Sequence, residues 1–156
     1  MPQPSPKRSS ARALWRPRTR RPPRVLTIWD ITDGDTLVIM RNGRPDRLRL
    51  IGIDTPETPN SPRGEEPYWS EATEELRLLV QDTEVTLRLD VGERDQYGRL
   101  LGYIHNSEGT FINAELVRLG WARPVTVPPN VHFSDDFARL AAEAREAGRG
   151  IWQTQE

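Results

Sequence analysis

Asp33, Asp35, Arg49, Asp54 and Glu57 fall within one 25-residue stretch, and the turns between them decide whether they meet. Asn42-Gly43 is a strong tight-hairpin signal between two β-like runs, residues 35–41 and 46–53. If it is the turn, Asp35 lies across from residues near Leu50, and Asp54 lies just beyond the open end. Arg49 is then on the returning strand beside them. Asp33, Asp35 and Asp54 crowded around one arginine would repel or pair, and a cation gives such a cluster a reason to exist. Oxygen ligands with no His or Cys among them suit calcium or magnesium rather than zinc.

Asp54-Thr55-Pro56-Glu57 extends the cluster. Pro56 fixes its own φ and forces Thr55 toward extended geometry, so Glu57 is presented on a rigid backbone. The same tetrapeptide is also a good helix start, with Glu favoured in the first turn. Asp33-Gly34-Asp35-Thr36 taken alone is an ordinary turn, and Asp95-Gln96-Tyr97-Gly98-Arg99 an ordinary β-turn entering a strand. Arginine has a planar fork that reaches two oxygens of one anion, which suits phosphate.

These residues need a scaffold. A run at residues 25–32 precedes the hairpin. Trp69, Ala72, Leu76 and Leu79 recur at helical spacing, with Pro67 and Ser70 suited to the start. Val85, Leu87 and Leu89 alternate with polar residues as in a half-buried strand, and residues 99–105 read as another, entered through Gly98. A second helix is expected over residues 111–119, between Thr110 and Gly120, and a last one from Ser134 as N-cap to Gly148. The fold class expected is α+β, mainly β: a five-stranded Greek-key barrel of the OB type packed with about three helices.

Composition narrows the field. The 156 residues make room for one domain. No apolar run approaches the roughly 18 residues needed to cross a bilayer. With no cysteine, thiolate zinc sites, disulfides and thiol nucleophiles are excluded. The net charge of −1 conceals an asymmetry: residues 1–24 carry eight bases and no acid, leaving 14 bases against 23 acids, a net of −9, for the rest. Two parts follow, a disordered basic Pro/Arg-rich arm over 1–24 and a folded domain over 25–156. A basic arm on an acidic body points toward polyanions, or is simply a solvated terminus.

The segments 33–36, 49–57 and 95–99, in this order and spacing, resemble the thermonuclease (staphylococcal nuclease-like) family. Arg49-Leu50-Ile51-Gly52-Ile53-Asp54-Thr55-Pro56-Glu57 is the strongest element. The resemblance continues through Phe111-Ile112-Asn113-Ala114-Glu115-Leu116-Val117-Arg118 to Gly150-Ile151-Trp152. It implies a calcium-dependent phosphodiesterase acting on DNA and RNA, leaving 3′-phosphate and 5′-hydroxyl ends. It further implies calcium ligation by the Asp35 and Asp54 side chains and the Thr55 carbonyl, with Asp33 in the outer shell. Glu57 would take or orient the proton of the attacking water, and Arg49 and Arg99 would bind the phosphate. Tyr97 matches a tyrosine lining the phosphate pocket, and Arg63 a basic position on the adjoining loop.

The chain departs from that pattern in places. Trp121-Ala122-Arg123-Pro124-Val125-Thr126-Val127-Pro128-Pro129 holds no tyrosine where the type enzyme has two, and is one residue shorter. Gln96 stands in place of a lysine. Weaker base stacking is expected, with the same chemistry. The alternative function is a non-catalytic OB-fold module that binds nucleic acid without cutting it. Such modules usually lose the acids and arginines that are all present here. A histidine-based nuclease would rely on His105 and His132, which are read as surface residues near loops. Trp69, Phe137 and Trp152 are read as core positions. The expected partner is nucleic acid, single-stranded DNA or RNA by preference, with no membrane partner and a monomeric state. With no signal peptide visible, the cytoplasm is the expected compartment, and secretion stays open if the start codon is misassigned.

Overall fold

The computed structural model describes residues 24–154. The basic arm expected over 1–24 therefore lies outside the described residues, except for Arg24, which opens the first strand.

Asn42 and Gly43 adopt φ of 52° and 75°, the left-handed pair that matches the twist of a two-residue hairpin. They join β2 (Thr36–Arg41) to β3 (Arg44–Leu50) in the expected register, with Thr36 opposite Arg49 and Arg41 opposite Arg44. β1 (Arg24–Asp33) pairs antiparallel with β2 on one side and with β5 (Glu84–Arg88) on the other. β6 (Leu100–His105) closes the barrel, antiparallel to β5 and parallel to β3, giving the order β1-β2-β3-β6-β5. A two-residue ladder of β4 (Ile53–Asp54) and β7 (Arg123–Pro124) sits apart from it. The closed barrel with three helices is the OB-type architecture the sequence predicts.

Barrel and helices share one core. Leu37, Ile39, Leu48 and Leu50 alternate inward along the hairpin and are buried. Leu76 and Val80 of α1 (Trp69–Val80), Ile112 and Leu116 of α2 (Ile112–Arg118), and Phe137 and Ala141 of α3 (Ser134–Glu146) close over them. Buried Asn113 ties α2 to the barrel. Its Oδ1 accepts the Ile104 N–H at 3.0 Å, and its Nδ2 donates to the carbonyls of Ile51 at 3.0 Å and Gly102 at 3.3 Å.

The helix starts differ from expectation. Tyr68, in the left-handed region at φ 71°, precedes α1, and Ser70 lies inside the helix. Ser134 does not cap α3: its hydroxyl donates to the Val131 carbonyl at 3.0 Å, and Phe133 holds the N-cap position. Thr110 is likewise drawn into the turn before α2, its N–H donating to Asn106 Oδ1 at 3.0 Å, and Phe111 takes the cap. At Ser134 a neighbouring turn captured the side chain the cap would have needed. Of the aromatics read as core, Phe137 is buried. Trp69 is half-buried, its indole N–H donating to Glu65 at 2.6 Å, and the half-buried Trp152 carries the guanidinium groups of Arg123 and Arg145 at 5.0 and 4.9 Å.

Candidate active site

The β1–β2 turn places the first two acids. Asp33 Oδ1 accepts the Asp35 N–H at 3.0 Å, a local bond that holds the turn. At Gly34 a Cβ would stand 2.7 Å from Thr55 Oγ1, so only glycine lets the 54–57 segment lie this close to the turn. Asp35 then joins the two segments. Its Oδ2 accepts the Thr55 N–H at 2.9 Å, and its Oδ1 accepts the Thr36 hydroxyl at 3.1 Å. Residues 55–58 form neither helix nor strand, which disposes of the helix-start reading.

Arg49 sits between the acids. Its Nη2 is 3.5 Å from Asp35 Oδ2 and 3.5 Å from Asp54 Oδ1, and its Nη1 donates to the Leu50 carbonyl at 2.8 Å. Arg63 approaches from the exposed loop, paired with Glu57 Oε1 and 4.0 Å from Asp54 Oδ2. The convergence of Asp33, Asp35, Arg49 and Asp54 at the open end of the hairpin is thus as the register predicts. The loop also joins Glu57 and Arg63 to them.

The electrostatics reflect the crowding. Burial, then the neighbouring Asp35 charge, push the Asp33 carboxyl up to about 7. Burial and Asp35 also raise Asp54, partly offset by Arg49 and Arg63. Burial would raise Asp35 as well, but Arg49 and its hydrogen bonds hold it below the usual carboxylate range. The Ser61 hydroxyl, and then Arg63, keep Glu57 below its ordinary value against the effect of burial.

A cleft of about 450 Å³ opens beside this cluster, and Arg49 belongs to both. Arg99, Tyr97 and Asp95 line it too, with Val125, Val127 and Pro128 where the sequence lacks tyrosines. Asp95 orients Arg99 by accepting its Nε at 2.7 Å and its backbone N–H at 2.9 Å. Gly98 completes that turn at φ 79°. Tyr97 is 64% exposed at the rim, its ring 5.4 Å from the Arg99 guanidinium carbon, so it borders the cleft rather than filling it.

Three contributors escaped the sequence reading. Arg94 makes a two-pronged pair with Asp46 at 3.1 and 2.8 Å and also donates to the Gly98 carbonyl at 2.8 Å. Arg47 donates to the Tyr97 carbonyl at 2.7 Å. Together they pin the loop carrying Arg99 to β3. These pairs are separated by 48 and 50 residues, and only the parallel β3–β6 pairing brings them together. Conversely, His105 is not the surface residue expected, and His132 is half-buried. His105 is only 9% exposed, stacked on Phe111 at 4.7 Å, and His132 meets Phe133 edge-on at 4.5 Å. Neither lines the cleft.

The donor set fits a hard cation: Asp35 and Asp54 offer carboxylate oxygens, Thr55 a carbonyl, and the raised Asp33 and Asp54 carboxyls signal negative charge in need of an offset. Among the described residues no three His, Cys, Asp or Glu side chains close on one point.

A closed OB-type barrel with acids and arginines gathered at the open end of its β2–β3 hairpin defines the class of this domain. Residues 47–154 match the family model of the Staphylococcal nuclease homologue. The chain is 34% identical over 124 residues to "Thermonuclease" of Staphylococcus hyicus, covering 78% of this chain and 72% of that protein. It is 35% identical over 125 residues to "Thermonuclease" of Staphylococcus intermedius, covering 79% and 73%. It is also 35% identical over 122 residues to "Endonuclease YncB" of Bacillus subtilis strain 168, covering 77% and 57%. The chain belongs to the staphylococcal nuclease homologue family.

Proposed function

We propose that this chain is a calcium-dependent phosphodiesterase that cuts DNA, RNA or both, leaving 3′-phosphate and 5′-hydroxyl ends. Membership of the family makes it a hydrolase with nuclease activity. The reading of the site rests on one observation above others: Arg49 touches both Asp35 and Asp54 and lines the same cleft as Arg99.

In this reading Asp35, Asp54 and the Thr55 carbonyl hold calcium, and Asp33 supports them from the outer shell. The ion, when bound, offsets negative charge on the phosphoryl oxygens. Arg49 and Arg99 bind the nonbridging oxygens and stabilise the charge that grows there during in-line attack. Glu57, kept ionised by Ser61 and Arg63, accepts a proton from water as its oxygen bonds to phosphorus. The P–O5′ bond breaks, the O5′ atom takes a proton from solvent, and the phosphate stays on the 3′ side. Tyr97 and Arg63 border the substrate. The substrate in this reading is a single strand, and a monomer carries the full set of groups.

The test is cleavage of a labelled single-stranded oligonucleotide with calcium, with magnesium and with chelator, followed by end-group analysis. Calcium-dependent products with 3′-phosphate ends are expected. Full activity in excess chelator would remove the cation from the mechanism, and 5′-phosphate ends would overturn the assignment of the leaving group.

A further inference from the structure

We propose that the outer face of the barrel, at the exposed indole of Trp29, is a stacking platform for a base of single-stranded nucleic acid leading out of the cleft. This rests on the reading of the cleft as a nucleic-acid site.

The argument begins with a β-bulge. Ile28 pairs with Ile39 and Asp30 with Val38, which leaves Trp29 as the extra residue of β1. A bulge sets two residues of one strand against one of its partner and re-aims a side chain. Ile28 packs against the core, whereas Trp29 is 65% exposed and Asp30 is exposed beside it. Without the extra residue the alternation of β1 would break or turn the indole toward the barrel. An exposed tryptophan in a bulge whose flanking residues are both paired with β2 offers a π-face on a held backbone.

The platform is continuous with the cleft. Asp30, Val38 and Arg47 form one cross-strand row over β1, β2 and β3. Two strand spacings make that row about 10 Å wide, the reach of roughly three stacked bases at ~3.4 Å each. At its far end Arg47 bonds the carbonyl of Tyr97 on the cleft rim. The local charge favours this course. Arg44 and Arg47 stand exposed on β3, in a body of net −9. On the other flank of β1, Thr27 faces Glu84, so phosphates are directed toward β2 and β3. Asp30 opposes a phosphate placed directly over it, and its Oδ1 is turned back to accept the Ile31 N–H at 2.8 Å. The base therefore lies on Trp29 and its phosphates on the Arg47 side.

The test measures binding by fluorescence anisotropy, in chelator so that nothing is cut, with labelled dT12 and with dT2, which is too short to reach β1 from the cleft. Trp29→Ala should weaken dT12 binding about 5- to 150-fold, the range for losing one base–aromatic stack, and leave dT2 within about twofold. Trp29→Tyr should restore most of the dT12 affinity, while Trp29→Leu should not. Because Trp29 is exposed, all three variants should melt as the parent does. Unchanged dT12 affinity in Trp29→Ala, full affinity in Trp29→Leu, or no dT12 binding by the parent would overturn the platform. So would a parent dimer that Trp29→Ala splits without affecting dT12, since the indole would then serve a second copy of the chain. Trp29-dependent binding by a parent that cuts nothing in calcium would uphold the platform and sink the phosphodiesterase reading. Cutting with Trp29-independent binding would do the reverse.

Discussion

Asp95 holds Arg99 by two bonds from one carboxylate: Oδ2 accepts the guanidinium Nε at 2.7 Å, and Oδ1 accepts the backbone N–H at 2.9 Å. The side chain proposed to meet the phosphate thus has its direction set within its own turn. Burial pushes the Asp95 carboxyl up, but these bonds, led by the backbone N–H of Arg99, bring it below the ordinary value.

A pH-dependent contribution to stability follows. A carboxyl whose pKa is lowered by folding binds fewer protons in the native state, so its stabilisation is complete above the unfolded value. It is lost as the pH falls through the folded one. Asp95→Asn should cost about 1–2 kcal/mol at neutral pH, or about 2–6 °C of thermal midpoint. The difference from the parent should close below about pH 4. Melting curves from pH 3 to 8 check it, and a gap that widens in acid would reverse the assignment. The same variant should lower turnover about tenfold by freeing Arg99.

Substitutions at the proposed catalytic groups should separate rate from stability. Arg99→Ala and Arg49→Ala should each lower kcat about 10²- to 10³-fold, the usual loss for one preorganised donor. Glu57→Gln should fall by orders of magnitude as well, with a thermal midpoint close to the parent's. Arg49→Ala should also melt lower by about 2–3 kcal/mol, because the buried Asp35 charge loses the cation beside it. If Glu57→Gln turned over like the parent, the base would have to be sought elsewhere.

Much of this site was legible because hairpin register is a short-range property. Asn42-Gly43 set the turn, period-2 alternation set which residues face inward, and the meeting of Asp35, Arg49 and Asp54 followed. What escaped depends on long-range pairing. The parallel β3–β6 contact carries no turn signature, so Asp46–Arg94 and Arg47–Tyr97 were invisible although each residue type was ordinary for its place. One histidine was misread for a related reason. His105 closes β6 and is covered by Phe111, a contact fixed by how α2 packs rather than by local pattern.

Calcium should stabilise the fold as well as activate it. Binding to the native state alone adds about 2.7 kcal/mol when the free ion is at 100 times its Kd. A rise of about 5–10 °C in thermal midpoint is expected for a domain of this size. Magnesium, which keeps its waters and demands stricter octahedral geometry, should give a smaller shift and much less cleavage. Asp35→Asn should abolish most of the calcium shift. An equal shift in that variant would place the ion at another site.

The last prediction concerns residues 1–23, which carry seven bases and no acid. The rest of the chain, from Arg24 onward, has 15 bases against 23 acids, a net of −8, and a calcium ion would offset only two of those charges. Such a body repels a polyanion at long range, so the seven bases are the natural compensation. Counterion release makes the contribution measurable, since each phosphate neutralised on a single strand adds about 0.7 to the slope of log affinity against log salt. With roughly four to six contacts, the full chain should show a slope about 3–4 units steeper than a chain beginning at Arg24. The shortened protein should keep its kcat at saturating substrate, because the segment offers no group to the transition state, and its KM should rise most at low salt. Equal slopes with and without residues 1–23 would show that the segment does not touch nucleic acid. The acidic body would then have to be overcome by the cleft arginines and the β2–β3 hairpin alone.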